Sequence, residues 1–168
     1  MNNFRLACTA ILLGLLLSAC GKSSPQDKAE NAALSAAQKY YYKGEFKKAA
    51  PLFQALAEQG NVRAEFFLGG MYLTGTGVPE DYAQALKWSS AAAKRGSTAA
   101  QFNLGKMYEQ GLGVKQDIVE AHMWYSLSAS SGDEQATRQR DEVAHSMTYD
   151  QIQEARKRAK AWLEAHNS

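Results

Sequence analysis

Leu68–Val78 reads LGGMYLTGTGV, and Leu104–Val114 reads LGKMYEQGLGV. Seven of the eleven positions are identical, and the two phrases start 36 residues apart. The register extends outward from both. Ala64, Leu68, Gly69, Met71, Tyr72, Gly75, Gly77, Ala85, Trp88 and Gly96 are matched 36 positions later. Their counterparts are Ala100, Leu104, Gly105, Met107, Tyr108, Gly111, Gly113, Ala121, Trp124 and Gly132. A fixed period of this size marks stacked supersecondary units that each present one apolar face to a neighbour.

Each unit reads as two helices. Ala64, Phe67, Leu68, Met71 and Tyr72 fall along one helical face. A second helix starts after Asp81 and runs to about Lys94, carrying Tyr82, Ala85, Leu86, Trp88, Ala92 and Ala93. Asp81 and Asp117 stand at N-cap positions, and Glu120 follows Asp117 by three, a capping-box pattern. Gly69 and Gly105 lie mid-helix, where glycine costs about 1 kcal/mol relative to alanine. Their presence predicts a neighbouring helix too close for a β-carbon. Gly75, Gly77, Gly111 and Gly113 suit positive φ in the connecting loops. Trp88 and Trp124 are expected to fill the gaps between successive helix pairs.

A looser unit precedes these two. Ala49 and Gly60 keep the 36-residue register with Ala85 and Gly96, but Tyr40 precedes Tyr72 by only 32. The missing four residues are therefore assigned to the turn at Lys43-Gly44. Pro51 predicts a kink near Ala49–Pro51, because proline removes one helical hydrogen bond. After Gly132 the register fades: Ala136 keeps it, while Arg140 and Asp141 replace Leu-Gly. Glu134–Met147 reads as another first-type helix. Thr148 caps a last helix from Tyr149 to about Ala165, with Gln151 completing a capping box. Ile152, Ala155, Ala159, Trp162 and Leu163 form its apolar stripe, suited to closing an open stack.

The N-terminus has a different character. MNNFRLACTAILLGLLLSAC offers one basic residue, Arg5, then an apolar run from Leu6 to Leu17. The run is short for a roughly 30 Å hydrocarbon core but suits a secretory signal. Leu17-Ser18-Ala19-Cys20 resembles a bacterial lipobox, making Cys20 the expected lipidated first residue after cleavage. Cys8 would leave with the leader, so the mature domain would carry no disulfide. Gly21 lacks the aspartate character of inner-membrane retention, which favours the outer membrane, facing the periplasm. Gly21-Lys22-Ser23 spans about 10–15 Å before a helix start at Ser24-Pro25. The expected organisation is a signal peptide over 1–19, lipidated Cys20 and tether over 20–24, and units over 25–61, 62–97 and 98–133. Capping helices occupy 134–168.

Charge is nearly balanced, with 19 basic and 17 acidic residues and a formal net charge of +2. This gives no reason to expect nucleic acid. The G-x-G loops follow a helix rather than a strand, unlike phosphate-binding loops. His122, His145 and His166 lack ligand-like spacing, so no metal and no cofactor are expected. Ser89-Ser90 and Ser126–Ser131 contain no nucleophile motif, and no catalytic residue is assigned. Arg156-Lys157-Arg158-Ala159-Lys160 reads as a solvated helix face with Glu154–Arg158 pairing, with contact to anionic head groups as the other reading.

The patterns A-x-x-x-L-G-x-M-Y, G-x-G-V and D-x-x-x-A-x-x-W, with the terminal glycine, resemble the Sel-1-like repeat family, relatives of the tetratricopeptide repeat. The resemblance covers Val62–Ala136 and, in a plainer tetratricopeptide form, Ala33–Gly60. RDEVAHSMTYDQIQEA is similar to the tail of such bacterial proteins. The implied fold is all-α: a short right-handed α-solenoid of helix-turn-helix repeats with a C-terminal capping helix. In such a stack the first helices line a concave groove. By that register the groove presents Asn31, Leu34, Gln38 and Tyr41, then Arg63, Phe66 and Leu73, then Phe102, Lys106 and Glu109. Phe66 and Phe102 are either exposed there for partner capture or buried at helix contacts.

The resemblance implies a protein or peptide partner and no enzymatic activity. A membrane-anchored scaffold or adaptor of the bacterial envelope is the leading expectation. The alternatives are an immunity-type lipoprotein neutralising a secreted toxin and a cell-wall or β-lactam hydrolase. Cysteine-rich relatives linked to β-lactam binding have paired cysteines that this chain lacks.

Overall fold

A computed structural model describes residues 24–166. The predicted lipidation site, Cys20, and its leader lie outside the described residues. These contain eight helices and no strand. In order they are α1 (Pro25–Tyr42), α2 (Phe46–Glu58), α3 (Val62–Thr74), α4 (Tyr82–Lys94), α5 (Thr98–Gln110), α6 (Ile118–Ser130), α7 (Glu134–Ala144) and α8 (Tyr149–His166).

Helix starts follow from short polar side chains that accept otherwise unpaired N–H groups. Ser24 accepts from the Asp27 amide, and Asp27 closes a capping box on Ser24. Asp81 and Asp117 each accept two amides of the following helix. Thr148 and Gln151 form the reciprocal box at the start of α8. The box expected at Asp117 is only half made. Glu120 instead accepts from Arg158 of α8 at 2.6 Å, a charge-assisted bond that a backbone amide does not match. Arg158 also holds Glu154 at 2.8 Å, as its spacing predicts.

The repeat is realised as helix hairpins. Within the first unit the connection is 43–45, whereas the later units use 75–81 and 111–117. The four-residue deficit therefore falls in this loop, as read from the tyrosine spacing. Both long loops close identically: the Asp81 amide donates to the Tyr72 carbonyl, and the Asp117 amide to the Tyr108 carbonyl, each at 3.0 Å. Gly77 has φ +78° and faces Phe46 of the preceding unit, and Gly113 has φ +70° and faces Tyr82 in the same way. These are the joints between units, and Phe46 and Tyr82 are themselves 36 residues apart.

Packing carries the period inward. Ala49, Ala85 and Ala121 are fully buried, as are Ala64, Ala100 and Ala136. Such small residues let backbones approach. Leu34, Phe53, Leu68, Met71 and Trp88 belong to one apolar cluster formed by α1 to α4. Leu104, Met107, Trp124, Leu127, Ala155 and Ala159 belong to the next, to which α8 contributes. The two tryptophans therefore occupy equivalent places in successive clusters. Both indole N–H groups lack an acceptor among the described residues, so ring volume is what these positions use.

The helix α2 continues through Pro51, whose missing amide leaves the Lys47 carbonyl in the first turn without its helical donor. One boundary is corrected. The helix α7 ends at Ala144, with His145 as its C-cap, rather than reaching Met147. Both α7 and α8 pack mainly on α6 rather than on each other. Arg140 and Asp141 stand where the earlier units have Leu-Gly.

Candidate functional site

The helices α3 and α5, each packed on α4, approach one another, and the 36-residue register places Phe66 and Phe102 at equivalent positions on them. Both rings are half-buried. Phe66 lies 5.4 Å from Phe67, tilted, and Phe102 lies 5.5 Å from Tyr125, also tilted. Phe66 also packs against the second apolar cluster, as Leu73 does, and Phe102 against a third formed by Ala121, Tyr125 and Val143, so each ring is supported by the core and open to solvent only in part. Arg63 is exposed and Lys106 half-buried, and neither makes an ion pair within the described residues.

Other predicted groove residues are committed to packing. Leu34 is buried in the first cluster and is removed from the candidate surface. Tyr41 is half-buried, edge-on to Phe46, Phe53 and Phe67 at 5.2, 6.1 and 5.1 Å. Leu73 packs against the second cluster. Glu109 accepts from the Tyr125 hydroxyl at 2.6 Å. Burial, followed by that bond, pushes the Tyr125 phenol well above its usual range. Glu109 also edges a hollow of about 510 Å³ between α5 and α7, shared with Ile118, Glu142 and Val143.

One residue of this face was not anticipated. Tyr42 is 75% exposed, and its ring is edge-on to Phe67 at 6.3 Å and to Tyr41 at 5.7 Å. Tyr42, Phe67 and Phe66 therefore form a continuous aromatic strip across α1 and α3. The signal was the run Tyr40-Tyr41-Tyr42: three consecutive residues cannot share one helical face.

The remaining candidate chemistry is structural. His122 is buried on α6, with Nδ1 3.3 Å from the Ser126 hydroxyl. Burial first, then Arg140 and Arg156, holds its imidazole below the ordinary range. Among the described residues no group of His, Cys, Asp or Glu is arranged to hold a metal, and no helix is long and apolar enough to cross a membrane.

Helix hairpins joined at a fixed period, with apolar clusters shared between neighbours, define a short α-solenoid. The Sel1 repeat profile matches residues 62–97 and 98–133, so the chain carries two Sel1 repeats. No curated protein matches the chain. Its structure is similar to that of c5321, a protective antigen of uropathogenic Escherichia coli strains displaying an SLR fold, at TM-score 0.77 and 32% identity. That alignment covers 83% of this chain and 32% of the E. coli protein. A Sel1 repeat protein from Oxalobacter formigenes aligns at TM-score 0.64 and 26% identity, over 77% of this chain and 55% of that one. The chain thus spans about a third and about half of these two proteins. Sel1 repeat proteins generally mediate protein–protein interaction and are typically non-catalytic scaffolds.

Proposed function

We propose that this chain is a membrane-tethered interaction module of the bacterial envelope, capturing a protein partner on the face formed by α1, α3 and α5. The observation that carries the reading is the placement of Phe66 and Phe102. They are equivalent, half-buried aromatic rings on successive first helices, extended by exposed Tyr42. Aromatic anchors on a rigid surface are the usual centre of a binding hot spot, because they bury area with little loss of side-chain freedom. Arg63 and Lys106 would add polar contacts at the rim.

Anchoring rests on Cys20 and the preceding Leu17-Ser18-Ala19. A spacer of three residues before Ser24 would keep the repeats close to the periplasmic side of the outer membrane. Acylation at Cys20 is tested by metabolic labelling with a fatty acid, which Cys20→Ala should abolish while leaving the chain exported.

The binding reading is tested with Phe66→Ala combined with Phe102→Ala. Partner affinity should fall at least tenfold, the scale of a hot-spot pair, with helicity and cooperative melting retained. Loss of folding in the double variant would assign both rings to the core and refute the groove.

A further inference from the structure

Arg95, in the turn after α4, reaches back to the preceding inter-repeat turn. Its guanidinium donates to the Gly60 carbonyl and to Glu65 Oε1 at 3.2 Å. Shifted by the 36-residue period, the three partners become Ser131, Gly96 and Gln101. Serine is too short to repeat the contact. In its place lies a pocket of about 350 Å³ whose lining includes all three of these residues.

We propose that this pocket seats an arginine side chain of a protein partner, in the position that the chain's own Arg95 fills one repeat earlier. The proposal rests on the reading of the chain as a protein-binding module and names a second, separate contact for it. The acceptors are in place. The Gly96 carbonyl receives no hydrogen bond among the described residues. Gln101 uses its amide nitrogen on the Ala93 carbonyl at 3.4 Å, leaving its amide oxygen as an acceptor. The last turns of α4, α6 and α8 all border the pocket, and helix C-termini carry negative partial charge. Trp162 adds an aromatic wall with His166 stacked on one of its faces at 4.0 Å, and a guanidinium packs favourably against the part of the indole left uncovered.

Two features oppose a cation, and their sizes decide the outcome. Lys94 and Arg95 stand at the rim, but Arg95 is already paired with Glu65, and Lys94 is exposed on a flexible stem. Gln101 replaces the carboxylate of Glu65, so the seat lacks a formal counter-charge. Two neutral acceptors remain at the equivalent positions while the ion pair does not, which makes an exchangeable site rather than a permanently filled one.

The test uses the full-length, isotopically labelled protein in detergent, titrated with N-acetyl-arginine methylamide and, separately, N-acetyl-glutamate methylamide. Saturable NMR shifts at the Gln101 side-chain amide and the Trp162 indole N–H are expected with the arginine probe alone. Ser131→Arg should abolish them by filling the seat from within. Gln101→Glu should strengthen probe binding about tenfold through one charge-assisted pair. Absence of saturable shifts, an equal response to the glutamate probe, or a response unchanged by Ser131→Arg would overturn the proposal. A ligand-free check stands beside it. Gln101→Glu alone should lower the melting temperature, and adding Ser131→Arg should restore it. Failure to restore would show that the two joints are not equivalent and would also overturn the proposal. Neither experiment involves Phe66 or Phe102, so the seat and the aromatic face fail independently.

Discussion

Phe46, at the start of α2, lies so close to Gly77 of the following unit that a β-carbon on the glycine would sit 2.7 Å from the Phe46 carbonyl. Thirty-six residues on, Tyr82 presses on Gly113 in the same way. Each long loop is thus a spacer whose glycine meets the second helix of the unit before it. Gly77→Ala should destabilise by roughly 3 kcal/mol, combining a left-handed φ with a backbone clash. Gly44→Ala, left-handed but with open space around it, should lose only the conformational part, about 1–2 kcal/mol. Chemical denaturation of the two variants separates these contributions.

Adjacent mid-helix glycines on α3 should respond in opposite directions. A β-carbon on Gly69 would lie 2.6 Å from Ser89 Oγ and 3.0 Å from the Ser89 amide, whereas one on Gly70 meets nothing within 4 Å. Gly70→Ala should stabilise by up to about 1 kcal/mol, the difference in helix propensity. Gly69→Ala should destabilise, because the neighbouring helix backbone must move. Gly105→Ala should do likewise against the fully buried ring of Tyr125. Paired melts decide it.

Arg95 serves a carboxylate that has little other company. Glu65 is 5% exposed, and its second oxygen has no hydrogen-bond partner. Arg95→Ala should destabilise by roughly 2–3 kcal/mol, below the full value for a buried pair because the arginine side chain is 49% exposed. Glu65→Gln in the same chain should recover part of that loss, since the stranded charge is gone. A double-mutant cycle measures the coupling.

The sequence already contained most of this scaffold. Leu68-Gly69, the G-x-G-V loops and the capping aspartates act through contacts that recur at each period, so pattern alone locates them. What it missed are choices made across the fold. Glu120 could cap its own helix or hold Arg158, and only the arrival of α8 decides. Tyr41 and Tyr42 are neighbours of one type, yet one packs among phenylalanines and the other faces solvent. Arg95 links two inter-repeat turns from a position that its own repeat does not preserve. The unpaired packing of α7 and α8 follows from the fading register after Gly132, but its geometry does not.

Acid should weaken the C-terminal part of the stack. His122 is buried between α6 and its neighbours, with Arg140, Arg156 and Asp141 as the charged groups acting on it. Its folded-state pKa lies below the ordinary value of about 6.5, so the unfolded chain takes up a proton first. The stability contribution is therefore complete above about pH 6.5 and is lost as pH falls from there toward the folded-state pKa. Melting temperature should drop between pH 7 and pH 5, and His122→Gln should flatten that drop. An equal drop in the variant would assign the acid sensitivity elsewhere.

The central claim is that the face formed by α1, α3 and α5 binds a protein. Its most direct test is photo-crosslinking in cells, with a photoreactive amino acid placed at Phe66 or at Phe102. Exposed Lys87, on the second helix of the same unit, serves as the control position. The account predicts one dominant protein adduct from both aromatic positions and none from the control. Adducts from Lys87 but not from Phe66 or Phe102, in a folded and exported protein, would contradict it.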